Sequence, residues 1–127
     1  MPVIIEDGKI KAVSDLTDVN GTDPVELYRC LPAYVKFIIS KIFIYNRDTA
    51  DHEVYLGEYD TTNTTWNKDK FIIKVLAGQI ITLTKDDLPE DFVMTTDPNS
   101  AVLSWAAKLD AAVTANAVKV KIELELG

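Results

Sequence analysis

The longest apolar stretch of the chain runs from Leu27 to Asn46 and is rich in the β-branched and aromatic residues that favour strands. Before Ser40 its apolar side chains alternate on one parity, and after Lys41 they alternate on the other. Because successive side chains of a strand point to opposite faces, this change of phase predicts a bulge or bend, or burial on both faces. We predict that residues 34–46 form the central strand of a two-layer β structure.

Shorter alternating segments, separated by turn residues, flank that strand on both sides. The predicted strands are residues 25–30, 52–59, 71–76, 79–84, 92–94, 101–105 and 118–126. The last of them, VKVKIELEL, has apolar residues on one face and charges on the other, as expected for an antiparallel sheet with one solvated face. Such spacing indicates a sandwich or a barrel. We predict an all-β fold, an antiparallel β-sandwich of jelly-roll or Ig-like type with about eight strands.

The stretches between these strands predict the connections. The polar turn at 46–51 predicts that the strands on either side of it form a hairpin. Residues 61–69 are polar and predict a long exposed connection. Residues 85–92 can hold one helical turn before Pro89 ends it. Residues 105–117 fit either a helix or a strand followed by a loop, and we favour the strand because the neighbouring segments alternate.

The first 23 residues are predicted to form an arm or hairpin that precedes the main body. Asp7-Gly8 separates two short apolar runs, and Asp-Gly is a strong hairpin signal because both central residues of a type I′ turn need positive φ. The polar stretch Ser14–Pro24 predicts a loop. We therefore divide the chain into an arm and loop at 1–23 and a β-sandwich domain at 24–127. The candidate partner-binding residues of the arm are Val3, Ile4, Ile5 and Ile10.

Composition restricts the classes of function. The chain of 127 residues carries 13 basic and 20 acidic side chains, for a net charge of −7, which argues against a general nucleic-acid binder. Its single cysteine, Cys30, cannot form an intramolecular disulfide. The N-terminal residues lack the pattern of a signal peptide, and Lys36 and Lys41 interrupt the best candidate for a membrane helix. We expect a protein that is made in a cytoplasm and does not bind membranes.

The residues that could carry chemistry do not form a catalytic or metal-binding motif. The Asp- and Asn-rich stretch 15–23 is similar to a calcium loop, but with Gly21 as its glycine the ligand positions fall on Leu16 and Leu27. His52 is the only histidine and has no nucleophile motif around it, so we predict a structural or surface role. The second acidic group is interpreted as a solvated rim and consists of Asp86, Asp87, Glu90 and Asp91. We predict no enzymatic activity, no metal and no cofactor.

Trp66 is the remaining candidate for partner binding. It lies in a threonine-rich polar stretch, where an aromatic side chain can stack on a sugar or anchor a protein partner. It can equally fold back as a cap over the sheet. Trp105, by contrast, is interpreted as a core residue.

Several sequence features between Val25 and Leu126 occur in a distinctive order. They are Leu27-Tyr28 before Leu31-Pro32-Ala33, a strand ending in IYN at Asn46, Ala77-Gly78-Gln79 before a further strand, SAVLSWAAKL at 100–109 and AAVTAN at 111–116. This order resembles that of small β-sandwich structural proteins of tailed phages and related viruses. Tyr34 departs from the pattern, since a glycine is more usual after the proline turn, and the N-terminal arm lies outside it.

The resemblance implies a non-enzymatic virion protein that decorates or stabilises the capsid or forms a head or tail accessory part. Its partner would be capsid protein or another virion protein, and it would form a homo-oligomer, with a trimer favoured. It would be made in the host cytoplasm and located in the virion. The alternative is a carbohydrate-binding or adhesin-like module that binds a glycan through the Trp66 loop.

Overall fold

The computed structural model describes residues 3–6, 9–29, 36–88, 93–95 and 103–126. These residues form eleven strands and one short 3₁₀ helix. The strands are β1 (Val3–Glu6), β2 (Lys9–Val13), β3 (Thr17–Val19), β4 (Val25–Arg29), β5 (Lys36–Asn46), β6 (His52–Asp60), β7 (Thr65–Val75), β8 (Ile80–Thr84), β9 (Val93–Thr95), β10 (Leu103–Leu109) and β11 (Val118–Leu126). The 3₁₀ helix spans Lys85–Asp87, within the stretch for which one helical turn is predicted. No helix in the described part of the chain is long and apolar enough to cross a membrane.

The strands form two antiparallel sheets. The larger sheet has the order β1-β2-β11-β5-β8, with β3 also paired to β11 and β9 also paired to β5. The smaller sheet has the order β4-β10-β6-β7. The predicted antiparallel β-sandwich is therefore confirmed.

One apolar core lies between the two sheets. It contains the alternating residues of β11 on one side and those of β6 and β10 on the other, and Trp105 is the largest of its fully buried side chains. Trp105 is thus a core residue, as predicted. Residues 103–109 form a strand and 110–117 a loop, which confirms the choice of strand over helix for this segment.

The change of phase in β5 is a β-bulge. In the pairing with β11, Lys41 lies opposite Glu123 and Ile39 opposite Leu124, so Ser40 is an extra residue. The Ser40 hydroxyl donates a hydrogen bond to the carbonyl of Glu123 at 3.2 Å. The bulge lets one strand bury apolar residues of both parities, namely Ile39, Ile42 and Ile44.

The predicted hairpin between the central strand and the next one is wrong. β5 pairs with β11, β8 and β9 in the larger sheet, whereas β6 pairs with β10 and β7 in the smaller one. The polar turn between them carries the chain from one sheet to the other. β6 forms its hairpin with β7 instead, through a turn at residues 61–64.

Two predicted loops contain strands. Residues 61–69 are not one long connection, because β7 begins at Thr65 and Trp66 pairs with Tyr59. Within Ser14–Pro24, β3 pairs with β11 and buries Val19 completely. In both cases the polar composition concealed a strand that is anchored by pairing with distant residues.

The N-terminal hairpin is present and belongs to the larger sheet. β1 and β2 pair antiparallel from Val3 opposite Ala12 to Glu6 opposite Lys9. β2 in turn pairs with β11, and Ala12 is fully buried in the core. The Asp-Gly turn itself lies outside the described residues, as do Cys30 and the Leu31-Pro32-Ala33 turn, and the division of the chain after residue 23 stays a prediction.

Four connections cross between the sheets at the same end of the sandwich. They are residues 20–24, 47–51, 76–79 and 110–117. Backbone hydrogen bonds join them, from Leu109 N to Gly21 O at 2.8 Å, from Val113 N to Asn20 O at 2.9 Å and from Asn46 N to Gln79 O at 2.9 Å. We call this the crossover end.

Candidate functional site

The N-terminal hairpin forms one edge of the larger sheet. Among the described strands, β1 is outermost on this side, next to β2 and then β11. Four of the predicted partner-binding residues, Val3, Ile4, Ile5 and Ile10, lie together in this hairpin, with Ile5 opposite Ile10. A strand at a sheet edge offers a row of backbone N–H and C=O groups with which another chain can pair.

A shallow apolar groove lies on the outer face of the same sheet. It has a volume of about 350 Å³ and is lined by Leu16, Lys41, Phe43, Thr82, Lys121 and Glu123. Leu16 is 46% exposed, which is high for a leucine beside a sheet. The lysines and acids around it form pairs such as Lys41 Nζ to Glu123 Oε2 at 3.7 Å. Exposed pairs of this kind contribute little to stability.

Trp66 lies near the start of β7, in the smaller sheet, apart from the hairpin residues. The ammonium group of Lys108 sits 4.4 Å from the centroid of its ring and 5.7 Å from that of Tyr55. The indole N–H donates to Asp69 Oδ1 at 2.7 Å. One ring face and the polar handle of Trp66 are therefore engaged within the chain.

The surface around Trp66 is wider than one aromatic residue. Ile72 is 50% exposed and pairs with Tyr55 across the β6–β7 ladder. A cavity of about 290 Å³ lies close by, and it is lined by Thr22, Tyr55, Lys108, Leu109 and Asp110. Reasoning from the sequence missed Tyr55 and Lys108, because they come from two other strands. The alternation of β6, which places Tyr55 on the opposite face from Val54 and Leu56, is the signal that could have found the first.

The crossover end holds a cluster of buried polar side chains that the sequence analysis did not assemble. The ring of His52 is almost fully buried, with Nε2 2.7 Å from Asp48 Oδ2 and Nδ1 3.0 Å from Asp110 Oδ1. Asp48 is also buried, whereas the Asp110 side chain is 37% exposed. Burial disfavours the charged ring, but the hydrogen bonds to Asp48 and Asp110 outweigh this effect and raise the pKa of His52 above its ordinary value.

Asp48 also binds the backbone of the 110–117 loop. Its carboxylate accepts hydrogen bonds from the amides of Thr114 at 2.8 Å, Ala115 at 2.7 Å and Asn116 at 3.2 Å. Burial alone would raise the pKa of Asp48, yet its bonds to His52 and to these three amides hold that pKa well below the usual range. Asp48 thus acts as a fixed anion that binds one crossover connection to another.

Asn46 extends the cluster to a third connection. Its amide nitrogen donates to the carbonyls of Ala50 at 2.9 Å and Val75 at 3.1 Å, and its oxygen accepts from the Asp48 amide at 3.0 Å. These bonds satisfy a side chain that is fully buried. The one sequence signal for this cluster is a lone histidine beside a turn rich in Asp and Asn.

No group of three or more His, Cys, Asp or Glu side chains among the described residues is placed to hold a metal ion. In the stretch that is similar to a calcium loop, Asp18 is paired with Lys119. In the second acidic group, Asp87 accepts a hydrogen bond from the Thr84 amide at 2.8 Å, and Asp86 is exposed. Glu90 and Asp91 lie outside the described residues.

Fold and surfaces together define a two-sheet antiparallel β-sandwich protein with a strand edge, an apolar groove and an aromatic patch as its candidate contact regions. No family model matches the chain, and no curated protein matches it. Among solved structures, it is similar to the virus-like particle of the extra small virus of the giant freshwater prawn Macrobrachium rosenbergii, determined by cryo-electron microscopy. That similarity has a TM-score of 0.40 at 12% sequence identity and covers 99% of this chain and 83% of the other.

Proposed function

We propose that this chain is a non-enzymatic structural protein of a virion. In this proposal it decorates or stabilises the capsid, or forms a head or tail accessory part, and the hairpin β1–β2 attaches it to a neighbouring virion subunit. The observation that carries the proposal is the position of β1 at the edge of the larger sheet. The order of sequence features from Val25 to Leu126 supports it independently.

Attachment through β1 follows from the chemistry of a sheet edge. A strand with no further partner among the described strands has backbone donors and acceptors that a strand from a neighbouring subunit can satisfy. The groove on the outer face of the same sheet is lined by Leu16 and Phe43 and offers apolar surface to the same neighbouring subunit. Pairing of β1 with β1 of a second copy would close a dimer, so a trimer, the favoured state of the expected homo-oligomer, needs β1 to pair with a different surface of the next copy.

The test removes β1 and leaves β2 in place. Deleting residues 1–13 would also remove Ala12, which is fully buried, so the informative truncation is of residues 1–8, which leaves β2 paired with β11. We expect the truncated protein to remain folded and to lose at least tenfold in co-sedimentation with assembled particles. A matched control is Ile80→Ser on β8, at the opposite edge of the larger sheet, where Ile80 is 57% exposed.

Two results would contradict the proposal in different ways. Unchanged co-sedimentation of the truncated protein would reject attachment through β1. A full-length protein that light scattering shows to be monomeric, and that does not sediment with particles, would reject the virion role itself.

The second candidate is a carbohydrate-binding or adhesin-like module centred on Trp66. The cavity beside Tyr55 and Lys108 favours it, whereas the Lys108 ammonium over the Trp66 ring opposes it, because a sugar would have to displace the ammonium or use the other ring face. A glycan array with the native protein and Trp66→Ala separates the two candidates. Glycan binding by the native protein that Trp66→Ala abolishes would favour the carbohydrate-binding module. If the native protein binds no glycan, this candidate is rejected.

A further inference from the structure

We propose that Asp48, His52 and Asp110 form a pH-operated latch. With both ring nitrogens protonated, His52 bridges the two carboxylates and holds the 110–117 loop on the crossover end. Loss of one ring proton releases Asp110 and, with it, the start of this loop. The proposal concerns a conformational change within the sandwich, and it stands or falls independently of the virion role.

The geometry fixes the charge state of the ring. A carboxylate accepts hydrogen bonds and donates none, and a neutral imidazole has only one N–H to donate. Both ring nitrogens of His52 lie within hydrogen-bond distance of a carboxylate oxygen, at 2.7 and 3.0 Å. A neutral ring would therefore place a lone pair against an anionic oxygen on one side, and only the doubly protonated ring satisfies both contacts.

The two carboxylates differ in the hydrogen-bond donors that remain to them when the ring loses a proton. Asp48 is buried and keeps the amides of Thr114, Ala115 and Asn116 as donors. The Asp110 side chain is 37% exposed and accepts hydrogen bonds from the amides of Glu53 and Ala111, so water and these amides can satisfy it once it leaves the ring. The remaining ring proton therefore stays between His52 and Asp48, and the contact with Asp110 opens.

Besides the amides of Glu53 and Ala111, which donate to the Asp110 carboxylate, a few backbone contacts hold the start of the loop. The Asp110 amide donates to the carbonyl of Glu53 at 3.1 Å, and Val113 is half-buried and donates to Asn20. Ala111 and Ala112 are exposed. Opening of the latch therefore affects residues 110–113, whereas Asp48 retains the amides of residues 114–116.

Other charged groups around His52 have partners of their own. From the same turn, Arg47 Nε donates to the carbonyl of Ala117 at 3.3 Å, and Asp51 accepts from the Ala77 amide at 2.8 Å. On β6, Glu53 accepts from the Tyr55 hydroxyl at 3.0 Å, and on β10, Lys108 lies over the two aromatic rings. The carboxylates of Asp48 and Asp110 are thus the groups that set the protonation of the ring.

The experiment uses the fact that the chain has one histidine, so a single imidazole signal reports on the latch. The full-length, isotope-labelled protein is titrated from about pH 5 to about pH 10, with NMR detection of both ring nitrogens and of amide exchange at residues 110–116. We expect both nitrogens to be protonated at neutral pH, with a midpoint above the ordinary value of 6.5. Protection of the Asp110 amide should fall at that same midpoint, after correction for the intrinsic pH dependence of exchange.

Asp110→Asn is the decisive variant, because it removes one carboxylate and keeps a side chain of the same shape. We expect its ring midpoint to move down towards 6.5 and the change in amide exchange to move with it. Asp15→Asn is the matched control, since it removes the same charge from an exposed position in the stretch before β3. A ring that is neutral at pH 7, or a ring that titrates with no change in exchange at Asp110, would overturn the proposal.

Discussion

Thr64 is the residue with the most unusual backbone among those described. Its φ of +52° lies in the left-handed region, which a β-branched residue enters only at a cost. The turn that forces this conformation is fixed by Asp60, whose carboxylate accepts hydrogen bonds from the amides of Thr62 at 2.9 Å and Asn63 at 3.1 Å. Strain at Thr64 is therefore maintained by a well-bonded turn between two long paired strands.

Replacing Thr64 with glycine is expected to stabilise the protein by about 0.5 to 1 kcal/mol, because glycine has no Cβ to clash at positive φ. Urea unfolding measures the difference. Thr64→Ala is the control: it keeps the Cβ and loses the γ-methyl and the hydroxyl, which donates to the Asn63 carbonyl at 2.7 Å, so it should not stabilise as glycine does. Equal stability of the two variants would show that positive φ carries no cost here.

The candidate contact residues could be predicted only one at a time. Trp66 was recognised from its setting, but its contacts with Lys108 and Asp69 depend on strand pairing that composition does not reveal. His52 was recognised as lacking catalytic partners, yet one of its two acidic partners is 58 residues away along the chain. The local sequence pattern around either residue contains no information on a contact between residues so far apart in the chain.

Among the strands, β5 shows that the parity of the apolar positions can specify both a strand and the place of its bulge. Because its apolar positions change parity at Ser40, only a strand with one extra residue there can bury Ile39 and Ile44 together. The choice of β6 as neighbour was wrong for a different reason. Sheet membership depends on pairing between strands far apart in sequence, and β5 pairs with β11 whereas β6 pairs with β10.

Deleting Ser40 is expected to leave a folded protein with a regular, uninterrupted β5. The deletion keeps Ile39, Ile42 and Ile44 on the core face and removes one hydrogen bond, which costs about 1 kcal/mol. Deleting Phe43 is the matched control, because it turns Ile44 and Asn46 to the wrong face and should prevent folding. Circular dichroism and the yield of soluble protein distinguish the two. Failure of both deletions would mean that the bulge itself is required.

For the whole molecule, stability should be greatest on a plateau between two titrations. The lowered pKa values of Asp48 and Asp110 contribute stability that is lost as pH falls below the ordinary carboxyl value of 3.8. The raised pKa of His52 contributes stability that is fully present below the ordinary value of 6.5 and is lost as pH rises through the higher value in the folded protein.

We therefore expect the free energy of unfolding to decrease between about pH 6.5 and about pH 8, where histidine is the main side chain to titrate. Urea unfolding at a series of pH values measures this slope. His52→Gln should abolish this slope. If that variant does not fold, Asp110→Asn takes its place and should reduce the slope. A free energy that increases over this interval in the native protein would contradict the assignment of a charged ring.

The place of β11 in the sheet has a consequence for how the protein is made. This strand lies at the centre of the larger sheet, where it pairs with β2, β3 and β5, and it is translated after every other described strand. Until β11 is made, β2 and β3 lack the neighbour that joins them to the rest of the larger sheet, and β5 can pair only with β8 and β9. The larger sheet therefore cannot be completed until β11 has been made, and the strands that await it offer unpaired edges for aggregation before then.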